Sequence, residues 1–143
     1  MKKLFTILVS LLVTASVYSQ TYNVNTFYAE LGGYVIQTDG THGVVVAMQD
    51  QGVANWYNAE AMANDASKHD SNGAKFNDWR LPTKSELNLM YWQTVKIDGF
   101  TDDFYWSSTE NGNFIVWIQI FAIGAKVEVD KDRPSGVRDV WAF

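Results

Sequence analysis

The 143 residues contain no cysteine and two histidines, His42 and His69. Thiol nucleophiles, thiolate metal sites and the paired-histidine zinc helix therefore fall away, and no histidine–aspartate–serine set is evident. Ser107 and Ser108 have no obvious histidine partner, so they read as strand packing and hydrogen bonding. What remains is the chemistry of carboxylates and amides. Asp98, Asp102 and Asp103 form one group, and Glu110, Asn111 and Asn113 form a second. Two carboxylates could in principle hydrolyse a glycosidic bond, but no spacing here selects that reaction. Calcium is the one metal these loops, together with residues 130–132, could hold. It wants about six to eight converging oxygens, and no EF-hand spacing occurs. Phe100, Phe104 and Phe114 lie among the same polar residues, and an aromatic face beside carboxylates and amides suits a sugar ring. The expected ligand-binding set is therefore Asp98, Phe100, Asp102, Asp103, Glu110, Asn111, Asn113 and Phe114. No catalytic residue and no required cofactor are expected.

Those loops need elements to carry them. Residues 34–38 and 44–48 are β-rich runs on either side of Asp39-Gly40, the signature of a hairpin, with His42 a solvated turn residue. Trp56, Ala59, Ala63 and Ala66 recur at spacings of three and four and predict a helix over residues 54–69. His69 would then sit at the negative pole of that helix. Thr83 and Glu86 form a capping box behind Pro82. They predict a second helix over residues 84–92 that buries Leu87, Met90 and Tyr91. Residues 104–109 read as a strand and 110–113 as a turn. Residues 114–123 are apolar on both parities, which predicts a central strand covered on both faces. Residues 126–130 alternate, 130–136 form a polar loop, and 137–143 close the chain as a strand.

The amino terminus is different in kind. Lys2 and Lys3 precede an apolar run over residues 4–13, and Val17-Tyr18-Ser19 offers small residues at −3 and −1. This order predicts a secretory signal cut before Gln20. The run is far shorter than the roughly 20 residues that span a bilayer, so no membrane insertion is expected. Loss of Lys2 and Lys3 leaves nine of the eleven basic residues against sixteen acidic ones, a net charge of −7. That balance argues against a nucleic-acid partner and against sulfated polysaccharides. Residues 20–30 read as a flexible lead-in, and residues 31–143 as one domain whose stability must come from an aromatic core.

Five segments in order carry a resemblance. They are Gly32-Gly33-Tyr34-Val35-Ile36 with the Asp39-Gly40-Thr41-His42-Gly43 turn; Trp56 and Ala59; Asp78-Trp79-Arg80-Leu81-Pro82-Thr83 with Glu86-Leu87; Tyr105-Trp106-Ser107-Ser108-Thr109-Glu110; and Val137-Arg138 with Val140 and Phe143. Over residues 31–143 the chain resembles the DUF1566 family, a module similar to the C-terminal domain of the Legionella collagen-like adhesin and to Fibrobacter paralogous domains. The resemblance implies an α+β, C-type lectin-like fold, with two helices on a mixed, mainly antiparallel sheet and long loops. It implies that Trp79, Arg80, Leu81, Pro82, Thr83, Glu86, Trp106, Ser107 and Ser108 are structural, with Arg80 and Arg138 each pairing with a carboxylate. It also implies recognition of a glycan or surface protein outside the inner membrane. The alternatives are a structural subunit of a surface assembly, such as a homo-oligomer, and a hydrolase using loop carboxylates. The calcium-binding triplets of sugar-binding C-type lectins, and their disulfides, are missing here.

Overall fold

The computed structural model describes residues 19–143. The expected signal, residues 1–19, lies outside the described residues except for Ser19. The described chain is α+β, with two helices packed on mixed sheets.

One sheet has the order β1-β2-β3-β9 and is antiparallel throughout. Its strands are β1 (Thr26–Tyr28), β2 (Gly33–Thr38), β3 (Gly43–Ala47) and β9 (Val140–Ala142). The expected hairpin is β2–β3, closed by an Asp39 side chain that accepts from the Thr41 and His42 amides. The second sheet has the order β4-β8-β5-β6-β7. It is built from β4 (Gly52–Ala54), β5 (Phe104–Glu110), β6 (Ile115–Ile120), β7 (Ala125–Asp130) and β8 (Ser135–Val137). The β5–β8 pair is its parallel contact.

Residues 20–30 are not a detached lead-in. β1 pairs with β2, the Tyr22 amide donates to Gly40, and the Tyr22 ring meets Tyr28 and Phe143 edge-on. Aromatic contacts, invisible in a polar composition, tie the segment down. The first helix is also shorter than expected: α1 is Trp56–Met62, followed by a single 3-10 turn at Ala66–Lys68. Asp65 explains the break, because its side chain caps the Ser67 amide and restarts the backbone. Trp56, Ala59 and Ala63 are buried as the spacing demands, whereas Ala66 is exposed. His69 does not end α1; it caps the short 3-10 turn instead. It is buried, stacked on Trp79 at 4.7 Å, with Nε2 2.7 Å from the Ala63 carbonyl oxygen. The last stretch is two strands in two sheets, β8 and β9, split at Arg138-Asp139. The expected 130–136 loop therefore ends at Ser135, where β8 begins.

The second helix, α2 (Lys84–Trp92), has the expected bounds and both halves of the capping box. Leu87 and Met90 are buried, and Tyr91 is half-buried.

Three clusters make the core rather than one. Ile36, Val46 and Val140 of the first sheet meet Leu87 and Met90 of α2, with Ile97, Tyr105 and Phe121. Trp56, Ala59, Leu81, Trp106, Val116, Ile118 and Val137 form the second cluster. Val35, Val45 and Trp79 belong to the third, on the opposite face of β2–β3. Strand alternation does this sorting: Val35 and Ile36 point to opposite sides, as do Tyr105 and Trp106. Trp79 and Trp106 are both buried, as expected, but in different clusters.

Candidate functional site

β5 holds the two groups of predicted ligand residues apart. It is seven residues long, so at roughly 3.3 Å per residue its ends lie about 20 Å from each other. Residues 98–103 enter one end, and residues 111–114 leave the other. The structure therefore does not gather the eight residues into one site.

At the entry end a cleft of about 210 Å³ is lined by Thr94, Ile97, Asp98, Gly99, Phe100, Thr101, Asp102 and Phe121. Asp98, Phe100 and Asp102 are thus together, as expected. Asp103 is exposed and stands aside, with Oδ1 accepting from the Phe104 amide and its carbonyl accepting from Phe121. Phe100 is not the free aromatic face that the sequence suggested. It is half-buried against Tyr105 and Phe121, with the Arg138 guanidinium 4.3 Å from its ring centroid. Phe104 is half-buried too, beneath Arg133 at 4.5 Å.

The exposed apolar side chains at this end are ones that sequence reasoning missed. Trp92 is 70% exposed, Val95 86% and Ile123 70%. Trp92 ends α2 two residues before Thr94, and Ile123 follows Phe121 by two. The available signal was Trp92 at the last position of a helix whose buried face had already been filled by Leu87 and Met90.

The cleft wall is held by a guanidinium. Arg138 is buried and each of its nitrogens is used. Nε donates to Ala47 O at 2.7 Å, Nη2 to Met48 O and Asp98 O at 2.9 Å each, and Nη1 to Gly99 O at 2.9 Å and Asp50 Oδ1 at 3.1 Å. Gly99 takes φ +86°, which brings its carbonyl to Arg138 and favours glycine there. Asp50 also accepts from the Tyr105 hydroxyl at 2.7 Å, which in turn accepts from the Thr101 amide at 2.9 Å. Burial, together with Asp50, pushes the Tyr105 hydroxyl up to about 12, so it stays protonated and donates. Burial pulls the Arg138 pKa down and Asp50's charge opposes that pull. Arg138 pairs with a carboxylate, as expected, and has no donor left for an anion in the cleft.

At the exit end, Glu110, Asn111, Asn113 and Phe114 are all exposed. None of them lines the entry-end cleft. Lys131 Nζ ties the turn down through Glu110 Oε2 and the Asn113 carbonyl, 4.3 Å above the Trp56 ring. Asn111 reaches across to Glu128. These groups hold one another, which accounts for most of their polarity. Among the described residues no group of three or more His, Asp or Glu gathers in a metal-holding cluster.

The remaining motif residues bond and pack within the fold. Arg80 makes a two-pronged pair with Glu86, 2.8 Å on each prong. Burial pushes the Glu86 carboxyl up, but Arg80 and the Thr83 amide outweigh it and hold the pKa below its ordinary value. The Pro82 carbonyl accepts from the Ser108 amide, and Ser107 Oγ donates to the Trp117 carbonyl. Trp56 Nε1 donates to Ser107 O, and Trp106 Nε1 to Ala54 O. Leu81 packs with Trp106. Among the described residues no helix is long and apolar enough to cross a membrane. No family model matches the sequence, and a search of curated proteins finds no match to it.

Proposed function

We propose that the chain is an exported, non-catalytic binding module of the DUF1566 type, with a C-type lectin-like fold, that takes a glycan or protein ligand at the cleft beside residues 98–102. One observation carries this reading. A cleft walled by Asp98, Phe100 and Asp102 is braced from behind by a fully bonded buried arginine, and exposed Trp92 and Ile123 flank its walls in sequence. A braced wall with exposed apolar neighbours suits recognition, since preorganisation lowers the ordering cost of binding. The lining offers carboxylates and no cation, which favours neutral or positively charged ligands such as uncharged sugars or amines.

The test is a broad glycan array, followed by titration of the best ligand against Asp102→Asn and Trp92→Ala. Each variant should weaken binding by about tenfold or more, equal to roughly 1.4 kcal/mol, while folding stability moves by no more than about 0.5 kcal/mol, as for surface sites. Binding untouched by both changes would remove the cleft from the proposal. A second reading, a structural subunit of a surface assembly, is favoured by the exposure of Trp92, Val95 and Ile123 together. A concentration-dependent oligomer dissolved by Trp92→Ala, with no array signal, would select it.

A further inference from the structure

The sequence holds two Asn-Gly pairs, Asn72-Gly73 and Asn111-Gly112. Such pairs are ordinary turn residues, and both occur at turns here. Their amides differ. The Gly73 amide donates to Asp70 Oδ1 at 2.9 Å, Gly73 is buried, and Asn72 has helical backbone angles, φ −82° and ψ −47°. Gly112 is exposed, takes φ +89° and has open space where a Cβ would stand, and its amide meets no acceptor among the described residues.

We propose that Asn111-Gly112 is a spontaneous modification site, independent of any ligand, where the chain converts its own amide to an acid. The Gly112 nitrogen attacks Asn111 Cγ. A new C–N bond closes a five-membered succinimide, the Cγ–Nδ2 bond breaks, and ammonia leaves with the proton that Gly112 gives up. Water then opens the ring at either carbonyl, giving aspartate or isoaspartate. No oxidant or reductant is needed. At Asn72 the same closure requires the Asp70 contact to break and the helical turn to open first.

The product has a structural consequence. Asn111 Nδ2 is the donor to Glu128, so modification replaces that donor by a carboxylate facing a carboxylate. Glu110 shares this end, and Asp130 pairs in register with Ile115 nearby. Isoaspartate also lengthens the backbone of the turn by one carbon. The exit end of β5 should therefore loosen, while the cleft end stays as it was.

The experiment is to hold the folded full chain in mildly alkaline buffer and follow both asparagines by peptide mass mapping. Local opening at Asn72 costs free energy, and each 1.4 kcal/mol of it is a factor of ten, so Asn111 should convert about tenfold faster or more. Asn111→Gln, which keeps an amide donor but disfavours the ring, should abolish conversion at this position. Gly112→Ala should slow it, and the Asn111 result stands on the wild-type chain even if that variant folds poorly. Equal rates at the two positions, faster conversion at Asn72, or an intact Asn111 under conditions that convert an unfolded peptide of the same sequence would overturn the proposal.

Discussion

The two ends of β5 each carry a buried cation, yet they are built on different terms. Arg138 has a fully buried side chain and meets four carbonyls and Asp50, itself only 25% exposed. Lys131 is nearly as buried, but its carboxylate partner Glu110 is 48% exposed. Water can replace Lys131 for Glu110, whereas loss of Arg138 leaves the buried Ala47 carbonyl without its donor and Asp50 without its cation. A loop that must keep a cleft open is braced from inside. A loop that only turns the chain is tethered at its rim. Arg138→Met is accordingly the strongest way to break the contrast. Removing one partner of a buried charged pair costs about 3–5 kcal/mol, and that loss should appear as a lower urea midpoint. A loss below about 1 kcal/mol would mean that the brace is dispensable.

The residue beside Arg138 behaves in the opposite sense. Asp139 is wholly buried, and among the described residues neither carboxylate oxygen has a hydrogen-bond partner. Burial alone pushes its carboxyl up to about 7. An unfolded aspartate titrates near about 3.9. Below that value both states hold the proton and the group is neutral toward stability. As pH rises the unfolded chain releases its proton first, so stability falls until the folded carboxyl titrates near 7 and is flat above. At about 1.4 kcal/mol per unit, moving from pH 5 to pH 8 should destabilise the protein by roughly 3 kcal/mol. Asp139→Asn should flatten that slope and be more stable than the parent at pH 8. Glu86 pulls the other way, but only at acid pH, because its carboxyl is held low. Denaturant curves at the two pH values measure the difference. An unchanged slope in the variant would place the pH dependence elsewhere.

At the tethered end the effect should be smaller. Lys131→Met keeps much of the packing against Trp56 and leaves Glu110 free to turn into water. A cost of about 1–2 kcal/mol is expected, within the usual range for single substitutions. Cleft binding, measured by titration, should be unchanged. A loss as large as that of Arg138→Met would erase the distinction between the two ends.

What the sequence made legible follows from how local each signal is. The capping box and the bounds of α2 are written in Thr83, Glu86 and the spacing of Leu87 and Met90, all within one or two turns. The β2–β3 hairpin is written in Asp39-Gly40 and its flanks. The Asp98, Phe100 and Asp102 grouping was visible because those residues are neighbours in the chain. Glu110 and Phe114 do not belong with them. Composition made the two loops alike, and only the extended course of β5 separates them. The partners of Arg138 come from residues 47–50 and 98–99, far apart in sequence, so no spacing announced them. The helical state of Trp92 is local and legible, whereas its exposure depends on what α2 packs against. The split of the last stretch into β8 and β9 likewise turns on pairing with β5 and β3, which a single apolar run cannot display.

α2 runs between the two ends, and its cap supplies the finest division of them. At its start the Lys84 amide donates to Thr109 Oγ1 and the Pro82 carbonyl accepts from Ser108, which stitches the helix to the exit half of β5. Its last residue, Trp92, is followed two residues on by Thr94, which lines the cleft. Thr83→Ala removes the acceptor of the Glu86 amide and leaves the Arg80–Glu86 pair in place. Loss of an N-cap of this kind costs about 1 kcal/mol, the smallest effect of the four. Because capping acts on the first turn, hydrogen exchange should quicken at residues 84–87. It should stay unchanged at residues 97–101, whose order comes from Arg138. Exchange rising equally in both segments would mean that α2 transmits disorder along its length, and the cleft would then depend on the tethered end as much as on the buried brace.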